Sequence, residues 1–122
     1  MEEGYLMKRV PVYIVAGMLL ITAVLWTTIS SADEGAKGKV LYGEKCVICH
    51  GIKGDGKGSA AAFLNSSPAD FTDRTFWGKN DEKQIEDTIR NGKGEMPAFE
   101  LTPDELKSVI AYITHTFKPL NK

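Results

Sequence analysis

Cys46-Val47-Ile48-Cys49-His50 constrains this chain more than any other stretch. Two thiols three residues apart, followed at once by an imidazole, fit the covalent attachment of a c-type haem. Each cysteine can form a thioether with one of the two vinyl groups of the porphyrin. The histidine then lies beneath the ring, with a nitrogen available to the iron. A fold built on this run has to wrap around a large flat group.

A C-x-x-C pair also occurs as a redox dithiol, as half of a zinc site or as a structural disulfide. A redox dithiol usually belongs to a βαβ pattern, and zinc needs further well-spaced Cys or His ligands. The chain has two cysteines and two histidines in all, so beyond the motif only His115 remains. A disulfide across so short a loop gains little from loop closure and leaves His50 without a role. The haem reading uses every residue of the run.

The first part of the chain differs sharply from the rest. Lys8 and Arg9 precede Val10 to Ile29, where Tyr13 is the sole ionisable side chain. This pattern predicts a membrane-directed segment over residues 1–32, either a signal peptide cleaved after Ala32 or an N-terminal anchor kept in place. Ser30-Ser31-Ala32 supplies the small residues that a signal peptidase reads. The apolar run is long for a signal peptide and close to the roughly 20 residues that span a bilayer, so residues 10–29 would contact the membrane if uncleaved. Met7-Lys8-Arg9 is the expected natural start. Either way, residues 33–122 fall outside the cytoplasm, periplasmic or otherwise extracytoplasmic, where c-type attachment occurs.

Without Lys8, Arg9, Glu2 and Glu3, residues 33–122 keep 13 Lys plus Arg against 14 Asp plus Glu. Such a balance argues against nucleic acid as a partner. A domain of this size buries only about 60–65 % of its unfolded surface, so its own core is marginal. A buried porphyrin would supply the missing apolar interior.

Residues 35–45 read as a helix with Val40, Leu41 and Tyr42 on its apolar side, and with Gly38 permitting close approach of another helix. Gly51 to Gly58 holds four glycines and reads as a turn over the haem edge. Ser59 to Leu64 suggests a brief helical turn, and Pro68 to Asp73 a loop. Asp81 caps a helix over 82–90 with Ile85 and Ile89 on one face, ended by Asn91-Gly92. Thr102-Pro103-Asp104-Glu105 opens a terminal helix through a capping box with proline at the first position. Leu106, Val109, Ile110, Ile113 and Phe117 follow on one face, ending before Pro119. No stretch alternates with the period of a strand. The expected fold class is all-α.

Iron bound by the porphyrin and His50 has one position left. Met1, Met7 and Met18 lie in the membrane-directed segment, so Met96 is the one thioether of the domain, in the loop Gly92-Lys93-Gly94-Glu95-Met96-Pro97. That loop is too rich in glycine and proline for a packed element, which favours Met96 as a ligand over a core role. His115 is the rival, and it falls about 180° from Leu106 around the terminal helix, on the polar side. Lysine ligation would first require loss of a proton.

With Cys46, Cys49, His50 and Met96 in place, residues 35–118 resemble the class I cytochromes c, in particular the small bacterial monohaem type. The resemblance implies three to five helices wrapped around one covalently attached haem c. It implies that Gly38 and Tyr42 mark a first helix crossing the last one near Tyr112, and that Met96-Pro97 is a ligand loop. It also implies a backbone carbonyl that orients His50, supplied by Ala62, Pro68 or another residue. Trp77, in Phe76-Trp77, would donate its indole N–H to a propionate or pack on the porphyrin.

The expected function is one-electron transfer in an extracytoplasmic respiratory or related chain, with His/Met ligation and no enzymatic step. The expected partners are redox proteins, namely a membrane reductase or oxidase or other cytochromes, met by a monomer. Lys45, Lys53, Lys57 and Lys93 are interleaved with Asp55, Glu95 and Glu100, which predicts docking of weak salt dependence. Two other functions use the same motif. One is a haem subunit anchored to a membrane oxidase or reductase, and the other is a haem enzyme or gas sensor from which Met96 dissociates.

Overall fold

Residues 34–45 form the first helix, α1, in a computed structural model that describes residues 34–120. The segment 1–32, with the expected start at Met7 and cleavage after Ala32, lies outside the described residues. α1 runs almost directly into a single turn of helix, α2 (Val47–His50), because the Cys46 N–H still bonds the Tyr42 carbonyl at 2.9 Å. A 3-10 turn at Ala61–Phe63 follows, then α3 (Arg74–Lys79), α4 (Glu82–Asn91) and α5 (Pro103–Phe117). No strand occurs among the described residues, and the fold is all-α as expected.

The ends of these helices follow from local chemistry. Asp81 caps α4 and Thr102 caps α5, each in a reciprocal box with Gln84 or Glu105, so two orphan N–H groups are satisfied at each start. The C-terminal carbonyls of α2 are satisfied from the glycine-rich loop. Gly56, Gly58 and Ala60 donate N–H groups to the carbonyls of His50, Cys49 and Ile48 at 2.9–3.0 Å. That loop therefore folds back under the C-x-x-C-H turn and fixes it. α3 goes beyond the sequence reading. Its start is Asp73, whose carboxylate accepts the N–H of Thr75 at 2.9 Å and its hydroxyl as well.

α1 and α5 cross at Gly38. A Cβ on that glycine would lie 2.1 Å from the Ser108 carbonyl oxygen and 2.8 Å from the Tyr112 Cβ, so the two backbones are in direct contact. Tyr42, one turn later, is 2 % exposed, with its ring 5.5 Å from Tyr112 and 5.1 Å from Phe117. Its hydroxyl donates to the Gly51 carbonyl at 2.8 Å, joining the helix crossing to the residue after His50. Burial holds the phenol well above its ordinary pKa, so it remains a donor. The Gly38, Tyr42 and Tyr112 arrangement that the resemblance implied is present.

The core consists of Leu41, Tyr42 and Phe71 with Ile85 and Ile89 of α4 and Leu106, Val109, Ile110 and Ile113 of α5. Each buried aliphatic side chain contributes about 1.5–3 kcal/mol relative to exposure. Seven aliphatic and two aromatic residues make a small core, and four of them, Phe71, Ile85, Ile89 and Ile113, also form a wall of the cavity described next. The described residues belong to one unit, Asp33–Lys122.

Candidate haem site

A cavity of about 510 Å³ opens where α2, α4, α5 and the two long loops meet. Its size falls in the ~300–1,000 Å³ range of cofactor sites. Cys46, Cys49, His50 and Met96 all line it, although Met96 lies 46 residues beyond His50 in the chain. The remaining walls are mainly apolar, from Ile85, Ile89, Phe71, Phe76, Phe99 and Ile113.

His50 is held by two contacts from the loop 68–73. Its Nδ1 lies 3.2 Å from the Ala69 carbonyl oxygen, and its ring stacks on Phe71 with centroids 4.7 Å apart and planes 18° apart. A carbonyl oxygen has no proton to give, so Nδ1 carries the hydrogen and Nε2 keeps its lone pair. Burial holds the imidazole below its ordinary pKa, against the Ala69 hydrogen bond, which pulls the other way. The ring is thus a neutral donor of fixed tautomer, the form an iron ligand requires. The orienting carbonyl is that of Ala69, next to Pro68, and Ala62 has no part in it.

Met96 is presented by a tight turn. Lys93 and Met96 exchange two backbone hydrogen bonds of 3.0 Å, and Gly94 takes φ +60° at the first corner while Glu95 stays at negative φ. This is the pattern of a type II′ turn, whose first corner favours glycine. The Phe99 N–H then bonds the Ile89 carbonyl at 2.9 Å, returning the chain to α4. Glu95, at the second corner, reaches across to Asn65 and Ser66.

Cys46 and Cys49 are free and half-buried. Burial pushes the Cys46 thiol up to about 11, against the pull of Lys45, so at neutral pH it is an S–H group. His115 is exposed, as its position on the polar side of α5 predicts. Trp77 is a correction. It does not line the cavity, and its indole N–H donates to the Phe71 carbonyl at 2.7 Å while Lys118 Nζ lies 5.1 Å from its ring centre. Its role is to brace the loop that carries Phe71, and the donor that a propionate would need is already engaged. Phe71 and Ala69 do not stand out in the sequence as partners of His50; an aromatic in a polar loop is the one available signal for the first.

Two thiols, a neutral imidazole and a thioether facing one apolar cavity suit a tethered haem, and a donor set of this kind is that of the c-type cytochromes. Comparison with known proteins agrees. The family model described as cytochrome c oxidase, cbb3-type, subunit III matches residues 33–113, and the chain belongs to that family. Cytochrome c6 of Gloeothece citriformis is 31 % identical over 97 residues, covering 78 % of this chain and 83 % of the relative. Cytochrome c6 of Leptolyngbya boryana is 36 % identical over 84 residues, covering 67 % and 91 %. The cbb3-type oxidase subunit FixP of Bradyrhizobium diazoefficiens is 34 % identical over 83 residues, covering 66 % of this chain but 27 % of that much longer relative. No solved structure matches significantly. The cofactor of the family is covalently attached haem c.

Proposed function

We propose that this chain is a monohaem one-electron carrier of an extracytoplasmic electron-transfer chain, tethered to its haem by Cys46 and Cys49 and ligating the iron with His50 and Met96. The observation that carries this reading is the convergence of all four residues on one apolar cavity, with the Nδ1 of His50 already committed to Ala69. Bound haem would supply an iron that cycles between ferrous and ferric. The protein's part is to hold both ligands through the cycle. Ala69 and Phe71 fix the imidazole, the turn at Gly94 presents the thioether, and the apolar walls keep water from the ring. A thioether favours ferrous iron, and an apolar interior disfavours the added charge of the ferric state, so both raise the potential. No general base or nucleophile is required.

Redox proteins are the proposed partners, either a membrane reductase or oxidase or other cytochromes. Likeness over nearly the full length of two cytochromes c6 supports a freely moving carrier. The matching family description and the FixP relative support a second reading, a haem subunit fixed to a membrane oxidase. Among the described residues no helix is long and apolar enough to cross a membrane. Membrane fractionation after expression with the haem-attachment machinery separates the two readings.

An optical and redox titration of the purified protein, beside Met96→Ala, tests the ligation. A low-spin spectrum in both oxidation states is expected for the native protein. The variant should show an open iron and a midpoint lower by on the order of 0.1 V, within the roughly 0.8 V that axial ligands span. An unaltered midpoint would remove Met96 from the ligand set, and rapid carbon monoxide binding by the native ferrous protein would favour a sensor or enzyme.

A further inference from the structure

The turn that carries Met96 follows Gly92 and has Gly94 at its first corner, and its own backbone bonds run only between Lys93 and Met96. By itself such a loop is soft. Its tip is nevertheless tied down. One carboxylate oxygen of Glu95 accepts the Asn65 side-chain N–H at 3.0 Å, and the other accepts the Ser66 backbone N–H at 3.0 Å and the Ser66 hydroxyl at 3.3 Å. Among the described residues, no other side-chain hydrogen bond ties residues 93–96 to a distant segment. The tie spans some 30 residues of sequence and joins two segments that both line the cavity, Leu64, Ser66 and Ser67 in one and Glu95, Met96 and Pro97 in the other.

We propose that Glu95 is the positioning residue that latches the Met96 loop to the 64–67 segment, and so sets how rarely the iron opens. The inference rests on the reading of Met96 as an axial ligand. Its logic is geometric. Met96 follows Glu95 directly, so a fixed Glu95 backbone leaves the thioether few ways to leave. A carboxylate suits the task because charge-assisted bonds are stronger than neutral ones, and because two oxygens can grip two adjacent residues at once. Two of the three donors are on side chains that a substitution can remove singly. The latch is what makes this site a closed electron carrier, although its glycine-containing loop would otherwise suit a site that admits small ligands.

The test is the rate of carbon monoxide binding to the ferrous holoprotein and the affinity of imidazole for the ferric form, measured in native protein, Glu95→Ala, Glu95→Gln, Asn65→Ala and Met96→Ala. Because the latch is solvent-exposed, Glu95→Ala should raise both by a modest factor, about three- to tenfold. Glu95→Gln and Asn65→Ala should fall between it and the native protein. Adding Asn65→Ala to Glu95→Ala should change little further, since the two share one contact. Amide exchange at Ser66 supplies a readout independent of the iron, and it should quicken in Glu95→Ala. If Met96→Ala opens the iron while Glu95→Ala leaves both ligand measurements and the Ser66 amide unchanged, the latch is refuted and the ligation stands. If Met96→Ala binds carbon monoxide no faster than native protein, the ligation fails and the latch falls with it. Should Glu95→Ala not accumulate as holoprotein, Asn65→Ala with Ser66→Ala puts the same question from the donor side of the contact, with the same two outcomes.

Discussion

The Nδ1 of His50 lies 3.2 Å from the carbonyl oxygen of Ala69, and Phe71, two residues further on, stacks on the same imidazole. One short loop therefore sets both the tautomer and the tilt of the ring. The loop is itself held by the Phe71 N–H on the Gly54 carbonyl at 2.7 Å and by Trp77 on the Phe71 carbonyl. Phe71→Ala would empty a buried site and free the imidazole together. Losing about 3–5 kcal/mol in denaturant unfolding is the expected cost, with a displaced midpoint potential because the ligand is no longer oriented. Phe71→Leu should recover most of the stability and less of the potential. A cost under about 1 kcal/mol for the alanine variant would show that the stack does not support the site.

Gly38 and Gly43 lie on the same helix and should respond oppositely to alanine. A Cβ at Gly38 would press into the Ser108 carbonyl of α5 at 2.1 Å, whereas a Cβ at Gly43 meets nothing within 4 Å. Alanine is favoured over glycine in a helix by about 1 kcal/mol, so Gly43→Ala should stabilise by up to that amount. At Gly38 the same gain is outweighed by forcing two helices apart, and a net loss of about 1–3 kcal/mol or more is expected. Denaturant midpoints at constant m-value measure both. Equal shifts of the same sign would contradict the crossing described for α1 and α5.

How much of this was legible in the sequence depends on how local each cause is. Thr102-Pro103-Asp104-Glu105 announces α5 because a capping box is complete within four residues, and Asp81 announces α4 in the same way. Cys46, Cys49, His50 and Met96, which the fold brings to one cavity, stand out in the sequence because their chemistry is scarce in this chain. Ala69 was not, since it acts through a backbone carbonyl that every residue possesses. α3 was missed because Asp73 caps only six residues, too few to show helical periodicity. The bond that Ser66 donates to Glu95 depends on two loops meeting beside the cavity, and no local pattern records that. Trp77 was placed at the haem from its neighbourhood in sequence, while the fold turns its N–H onto Phe71.

Glu105 gives the protein a predictable response to acid. Its carboxylate accepts the Thr102 N–H and hydroxyl, each at 2.9 Å, and these bonds hold its pKa below the ordinary 4.5. A carboxyl group with a depressed folded pKa stabilises above its unfolded value, and that contribution disappears as the pH falls through the folded value. Glu105→Gln should therefore be less stable than the native protein at pH 7, with the difference shrinking below pH 4.5 and closing once the native carboxylate is protonated. Thr102→Ala removes the cap and should cost about 1 kcal/mol at neutral pH. A Glu105→Gln deficit that stays constant into strong acid would mean that the box contributes nothing through its charge.

Cys46 and Cys49 should prove separable in how they hold the haem. Each thiol would add across one vinyl double bond of a bound haem, the sulfur joining one carbon and the thiol proton going to the other, so each thioether would form without gain or loss of electrons by the protein. With Cys46 held as S–H by burial and Cys49 on the same cavity wall, either can form its bond alone. In Cys46→Ala or Cys49→Ala the haem should stay with the protein in acidified organic solvent, and its pyridine adduct should absorb at longer wavelength because one vinyl group remains conjugated with the ring. The double variant should release its haem completely. It should also lose more stability than either single variant, since a tether restricts the unfolded chain much as a disulfide does. Complete release from both single variants would show that neither thioether holds alone, and retention in the double variant would refute the attachment.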